Sequence, residues 1–154
     1  PGALPFLLFM AAFVGGCSGS TGGGMKVIRI ILILKQGMRE VMRLIHPNAV
    51  IAVKVGKVSV PDGIAQAVWG FFSVYVMLFF LLLVGVMATG VDQVTAWSAV
   101  ASALNNLGPA LGEASGNYGD LPTLAKWILV VAMLLGRLEI FTVLVLFTPA
   151  FWRR

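Results

Sequence analysis

Residues 94–109 read Val94-Thr95-Ala96-Trp97-Ser98-Ala99-Val100-Ala101-Ser102-Ala103-Leu104-Asn105-Asn106-Leu107-Gly108-Pro109, and the reading of this stretch decides the fold. Its first eleven residues, 94–104, are helical in character, with Trp97 among small Ala and Ser. Crossing a bilayer takes about 20 apolar residues, so this helix is too short to span. The helix cannot continue through Asn105-Asn106-Leu107-Gly108-Pro109, because Gly108 is conformationally permissive and Pro109 has no amide to donate. On either side stand long apolar segments. Residues 63–88 form one, without a charge from 67 to 88; residues 123–147, opened by Asp120-Leu121-Pro122 and closed by Pro149, form the other. Long helix, short helix, Gly-containing extended return, long helix is the layout of a pore-forming unit. The competing reading of 105–109 is a loop that merely ends a helix at the membrane surface.

Composition agrees that the solvent is a bilayer. Of 154 residues, 59% are hydrophobic and 11% charged, with a mean hydropathy of +0.97, whereas a soluble domain carries roughly 25% charged residues. The fold class expected is therefore all-α, multi-pass and membrane-embedded. The net charge of +5 does not imply a nucleic-acid partner, because its distribution is that of a membrane protein. Seven of the eleven Lys and Arg lie between Lys26 and Lys57, and none between Gly63 and Thr123. This predicts residues 26–57 in the cytoplasm, 89–122 outside, and a cytoplasmic C-terminus at Arg153 and Arg154. A single cysteine, Cys17, excludes a disulfide framework or cysteine metal cluster. The first residues lack a basic n-region and read as the middle of a helix, so no signal peptide is expected and the chain is read as a fragment of a longer protein.

Upstream, residues 3–14 are apolar and helical but cover only about half a membrane at ~1.5 Å per residue. They run into Gly15-Gly16-Cys17-Ser18-Gly19-Ser20-Thr21-Gly22-Gly23-Gly24, where six of ten residues are Gly. Helical sequence resumes at Met25 and turns basic. The simplest account is one crossing element broken in its middle, which survives at membrane depth only when shielded by protein or lining a wet cavity. His46-Pro47-Asn48 ends the second half. Residues 49–55 and 58–60, flanking Gly56-Lys57, predict a short hairpin. Ser59-Val60-Pro61-Asp62 has the S-x-x-D pattern of a capping box ahead of the long helix. Residues 112–119 read as an exposed polar loop.

The residues that carry chemistry follow from this layout. An ion filter built from backbone carbonyls needs an extended strand with unusual dihedrals, and Asn106, Leu107 and Gly108 stand where one would lie. Asn105 and Asn106 could brace it through side-chain hydrogen bonds. The Gly-rich stretch 15–24 is not a nucleotide loop, because Met25 separates Gly24 from Lys26 and Val27 follows. Small residues suit an intramembrane loop, or else a close helix-packing surface. Arg137 and Glu139 fall near the middle of the expected 123–147 helix, where a charge costs about 2.5–3.5 kcal/mol on insertion scales. Two positions apart on a helix, they face nearly opposite ways. Each is read as functional or as half of an ion pair with another segment. One His and six acids assemble no nucleophile–base–orienter set, so no enzyme is expected.

Several motifs, in order, resemble the Trk-type potassium transporters of the Trk/Ktr/HKT superfamily. They are residues 15–29, Leu44-Ile45-His46-Pro47-Asn48, Ala67-Val68-Trp69-Gly70-Phe71-Phe72, Asn105-Asn106-Leu107-Gly108-Pro109 and Gly136-Arg137-Leu138-Glu139-Ile140-Phe141. The resemblance covers essentially the whole chain, as the C-terminal third of such a pore subunit. It implies four helix–pore-loop–helix repeats around one pore in a bacterial inner membrane. Residues 1–45 would be the broken helix of repeat three, 46–62 a cytoplasmic connector and 63–154 the fourth repeat. By the same resemblance Asn105, Asn106, Leu107 and Gly108 belong to the filter, binding K+ through the backbone carbonyls of the last three. The gate would comprise Gly15, Gly16, Ser18, Gly19, Ser20, Thr21, Gly22, Gly23 and Gly24, with Arg137 projecting a fixed positive charge into the pore and Glu139 holding the loop. The expected partners are a second copy in a homodimer, a cytosolic nucleotide-binding ring, and the other repeats of the same protein. Ala110 departs from the family pattern, which has Gly after the filter's Pro. The alternative is a non-conducting membrane interaction subunit whose Gly loop and Arg137 serve packing.

Overall fold

The computed structural model describes residues 4–15, 25–47, 51–55 and 58–138. The order of elements is α1 (Leu4–Val14), α2 (Val27–Ile45), β1 (Lys54–Val55), β2 (Val58–Ser59), α3 (Asp62–Met87), α4 (Gln93–Asn105), a 3-10 turn (Gly112–Ala114) and α5 (Thr123–Arg137).

The short helix is the centre of the structure. From Ser98 to Asn105 every residue of α4 is buried. Ser and Ala let neighbours close on it from all sides: α1, α3 and α5 all pack against it. Helix α3 contributes one stripe, Ala65, Val68, Phe71, Tyr75, Phe79, Leu82 and Val86, spaced by three and four residues as a single helical face demands. Its other face exposes Met77, Phe80, Leu81 and Val84. Among the described residues α3 is the helix long and apolar enough to cross a membrane. Helix α5 buries Ala125, Leu129 and Ala132 and exposes Leu124, Trp127 and Val130. Helix α1 lays Phe6 and Phe9 on Trp97 of α4, with ring centroids 5.5 and 5.6 Å apart, and Phe13 on Phe79 of α3 at 5.6 Å.

Helix α2 is amphipathic, and its buried side is partly polar. Leu32, Gln36 and Arg39 are buried. The Arg39 guanidinium pairs with the Asp62 carboxylate at the start of α3, and the Arg29 guanidinium lies 4.3 Å from the centroid of Phe71. Between the two helices β1 and β2 pair antiparallel, Lys54 opposite Ser59 and Val55 opposite Val58, and the Val60 amide donates to the Val53 carbonyl at 2.8 Å. Val53 closes a small second core with Leu32 and Val68. The expected short hairpin thus forms, while Gly56 and Lys57 lie outside the described residues.

Four expectations need correction. The capping box at 59–62 does not form: Pro61 is the N-cap of α3 without a side-chain bond, because Ser59 is held in β2 and Asp62 turns to Arg39. Helix α2 begins at Val27, not Met25, because Lys26 takes a left-handed φ of 62°. Residues 112–119 are not simply an exposed loop, since the 3-10 turn buries Ala114. Finally, α5 is helical to Arg137, and Leu138 leaves helical geometry at φ −86°, ψ 6°. Gly136, a poor helix former, is wedged at that point against the carbonyl of Leu104. Arg137 therefore closes a helix where a mid-helix position was expected. Residues 139–154 lie outside the described residues.

Candidate functional site

The C-terminus of α4 and the strand that leaves it form the candidate site. The helix begins cleanly: the Asp92 carboxylate accepts from the amides of Val94 and Thr95 at 3.1 and 3.4 Å, satisfying two of the donors a helix start leaves unpaired. It ends at Asn105. Asn106 follows in the left-handed conformation, φ 53°, ψ 42°. Its amide donates to Ala103 at 3.2 Å, and the Leu107 amide reaches back to Ser102 at 2.9 Å. This pair of bonds is a Schellman ending, with Asn in the place usually taken by Gly. The motif ends the helix and redirects the chain.

From Leu107 the chain runs back along α4 towards its start. The Leu111 amide donates to Ser98 Oγ at 2.9 Å and the Glu113 amide to Thr95 Oγ1 at 3.2 Å. Side chains of the helix thus satisfy the returning backbone, which pairs with no strand among the described residues. Close approach is built in: a Cβ on Gly112 would meet Thr95 Oγ1 at 2.2 Å. Ala110, the departure from the family pattern, is buried and belongs to the main core.

Each of the four residues expected in the filter is tied to a different neighbour. Asn105 is buried; its Oδ1 accepts from the Tyr75 hydroxyl of α3 at 2.9 Å, and its Nδ2 donates to the Ala101 carbonyl at 2.8 Å. Asn105 is thus a brace at the helix end and not part of the extended strand. Asn106 Nδ2 donates to the Met133 carbonyl of α5 at 3.4 Å. Leu107 is held through its amide, with its side chain 43% exposed. Gly108 has φ +102°, a conformation that L side chains rarely adopt, and an added Cβ there would meet nothing within 4 Å. The glycine is needed for its backbone, not for room. Its carbonyl accepts from the Tyr118 hydroxyl at 2.8 Å.

Electrostatically the position favours a cation. The C-terminal end of a helix carries about half an elementary negative charge, and α4 directs that end at residues 106–108. Arg137 stands beside this end: a Cβ on the preceding Gly136 would fall 2.0 Å from the Leu104 carbonyl oxygen and 2.9 Å from Asn106 Nδ2.

Of the residues expected at the gate, Gly15 is described. It closes α1 with a positive φ of 71°. Gly16, Ser18, Gly19, Ser20, Thr21, Gly22, Gly23 and Gly24 lie outside the described residues, as does Glu139. The flanks of the stretch are informative all the same: the Met25 amide donates to the Phe13 carbonyl at 3.2 Å, so the chain that departs at Gly15 comes back to the end of α1. Sequence reasoning missed Tyr75 and Tyr118, which carry no motif of their own. It also missed the side-chain acceptors Thr95 and Ser98 on the helix, and Gly136, which stood in a quoted motif without a role.

Comparison with known proteins covers the whole of this arrangement. Residues 1–154 match the family model TrkH, described as a cation transport protein. A Trk system potassium uptake protein TrkH from Halomonas elongata is 90% identical, over 100% of this chain and 32% of that protein. Its namesake from Escherichia coli K12 is 56% identical over 97% of this chain and 31% of that protein. The crystal structure of the potassium transporter TrkH from Vibrio parahaemolyticus superposes with a TM-score of 0.91 at 57% identity, covering 99% of this chain and 33% of that one. The chain spans about a third of the length of the relatives it matches.

Proposed function

Since the chain belongs to the TrkH family of cation transport proteins, we propose that it supplies one strand of a potassium-selective filter in a bacterial cytoplasmic membrane. The observation that carries this reading is the buried short helix α4. It ends in a left-handed Asn106 and hands over to an extended return at Gly108, φ +102°. Carbonyls of such a strand replace the hydration shell of the permeating ion, and the negative end of α4 favours its charge. The potassium ion is the cargo, held by the backbone of Asn106, Leu107 and Gly108. Residues 63–154 then act as one helix–pore-loop–helix unit, 46–62 as the cytoplasmic connector, and 1–45 as the broken second helix of the preceding unit. The complete filter needs the corresponding strands from the remainder of the full-length protein.

The same reading makes 15–24 an intramembrane loop that gates the pore, with Arg137 as a fixed positive charge and Glu139 as its hydrogen-bonding support. The Met25–Phe13 bond supports the loop, since it joins the two ends of the Gly-rich stretch. The basic residues between Lys26 and Lys57 support a cytoplasmic position for that side, where a nucleotide-binding ring would dock on a homodimer. The test is Gly108→Ser in the full-length protein. A side chain at φ +102° forces the strand out of its geometry, so the ratio of rubidium to sodium uptake should fall at unchanged membrane yield. An unaltered ratio in properly assembled protein removes 106–108 from the filter.

A further inference from the structure

Gly108 presents a mechanical difficulty for any role in ion coordination. Its φ of +102° lies where glycine moves freely. The peptide that follows joins it to Pro109, which has no amide hydrogen, so no donor on that peptide can anchor it to a neighbour. Proline also locks its own φ near −65°, so the direction of the Gly108 carbonyl is governed chiefly by ψ of Gly108. A strand whose work depends on where its carbonyls point therefore has its loosest peptide at this position. The structure supplies an external restraint: the Tyr118 hydroxyl donates to that carbonyl at 2.8 Å.

Tyr118 is itself well held. Its ring packs against the main core, and the Leu121 side chain three residues on is buried there. The Leu121 amide donates to the Tyr118 carbonyl at 3.4 Å. On the other side the Gly119 amide donates to Asn117 Oδ1 at 2.6 Å, and the Lys126 ammonium, from the first turn of α5, donates to the Gly119 carbonyl at 2.5 Å. The hydroxyl is thus a fixed point, presented by the loop between the returning strand and α5.

We propose that Tyr118 is a positioning residue of this pore: its hydroxyl sets the direction of the Gly108–Pro109 peptide and thereby the spacing of the carbonyls at Asn106 and Leu107 that discriminate between monovalent cations. The inference rests on reading 106–108 as a filter strand. Discrimination by a carbonyl ladder depends on the number and field of the oxygens facing the ion. The bond from Tyr118 fixes the Gly108 carbonyl at the end of that ladder. Without the hydroxyl the peptide rotates, its oxygen leaves its place in the ladder, and the ladder loses its defined edge.

The experiment is Tyr118→Phe in the full-length protein, beside Gly108→Ser and wild type, with rubidium and sodium uptake, membrane yield and melting temperature measured on the same preparations. Phenylalanine keeps the ring and its packing and removes only the hydroxyl. The rubidium-to-sodium ratio is expected to fall by roughly 3- to 10-fold, the scale of one lost hydrogen bond, with yield unchanged and melting temperature lowered by no more than a few degrees. A merely structural tyrosine would instead lower the uptake of both ions together and leave the ratio alone, which overturns the proposal. Failure of Tyr118→Phe to assemble overturns it as well, since the hydroxyl would then serve folding. If Gly108→Ser shifts the ratio and Tyr118→Phe does not, this inference falls while the filter reading stands. If neither variant shifts it, both fall.

Discussion

At Gly136 the missing side chain lets α5 reach the end of α4, since a Cβ there would lie 2.0 Å from the Leu104 carbonyl oxygen and 2.8 Å from its carbon. These are backbone atoms in a fully buried helix turn, so no side-chain rotation relieves the clash. Gly136→Ala should therefore push α5 away from α4, break the 3.4 Å bond between Asn106 and Met133, and cost about 1–3 kcal/mol, as overpacking does. A lowered melting temperature of the detergent-solubilised full-length protein would show it; an unchanged one would mean that the helices have slack at this point. Residues of this kind were only half legible. A glycine before Arg137 is visible in the sequence, but its purpose lies in a carbonyl 32 positions upstream. The same holds for Tyr75, whose partner Asn105 is 30 residues away. Such links cross between elements and leave no periodic trace in the chain.

The elements themselves were largely written in local pattern. The long helix expected over 63–88 is Asp62–Met87, and the short one expected over 94–104 is Gln93–Asn105. Apolar runs, Pro and Gly suffice for this, because they act within a few residues. Where the reading slipped, a side chain had two uses. Asp62 belonged to a capping pattern but went to Arg39. Asn106, read as a filter residue and a brace, does donate to Met133 of α5 and in addition takes the left-handed turn that ends α4. Asp92 had drawn no attention and turned out to be a true cap. Its two amide bonds hold the start of the helix whose other end faces the proposed ion path. Asp92→Ala should cost about 0.5–2 kcal/mol, with Asp92→Asn, which keeps the acceptor, losing much less. Melting temperatures of the two variants in the full-length protein test this; equal losses would assign the effect to charge instead of capping.

Taken as a whole, the chain turns much of its apolar surface outward: Leu7, Met77, Leu81 and Leu124 are each more than 60% exposed. That surface suits lipid or further protein, and the relatives this chain matches are about three times its length. Around the buried α4 the proposed filter strand, the end of α5 and the flanks of the Gly-rich stretch are assembled by one core, in which Phe9, Leu104 and Leu129 take part and Phe13 and Met25 pack against it. Arg137, in the last turn of α5, follows the Gly136 that packs on the α4 terminus and brings a positive charge to that end. Helix ends favour such a charge by about 0.3–1 kcal/mol, so dipole complementarity alone gives it a modest structural role. A cation several Å away meets a repulsion of a few kcal/mol at an effective dielectric of ~20, which is several times larger. If Arg137 faces the proposed ion path, its charge weighs more on a passing ion than the helix-dipole contribution does on the fold. Arg137→Ala should raise rubidium flux through the full-length protein severalfold at normal yield, and Arg137→Lys should stay close to wild type. If Arg137 instead neutralises a buried carboxylate, its removal strands that charge and costs about 3–5 kcal/mol. Yield and flux would then drop together, and the two outcomes cannot be confused when both are measured on one preparation.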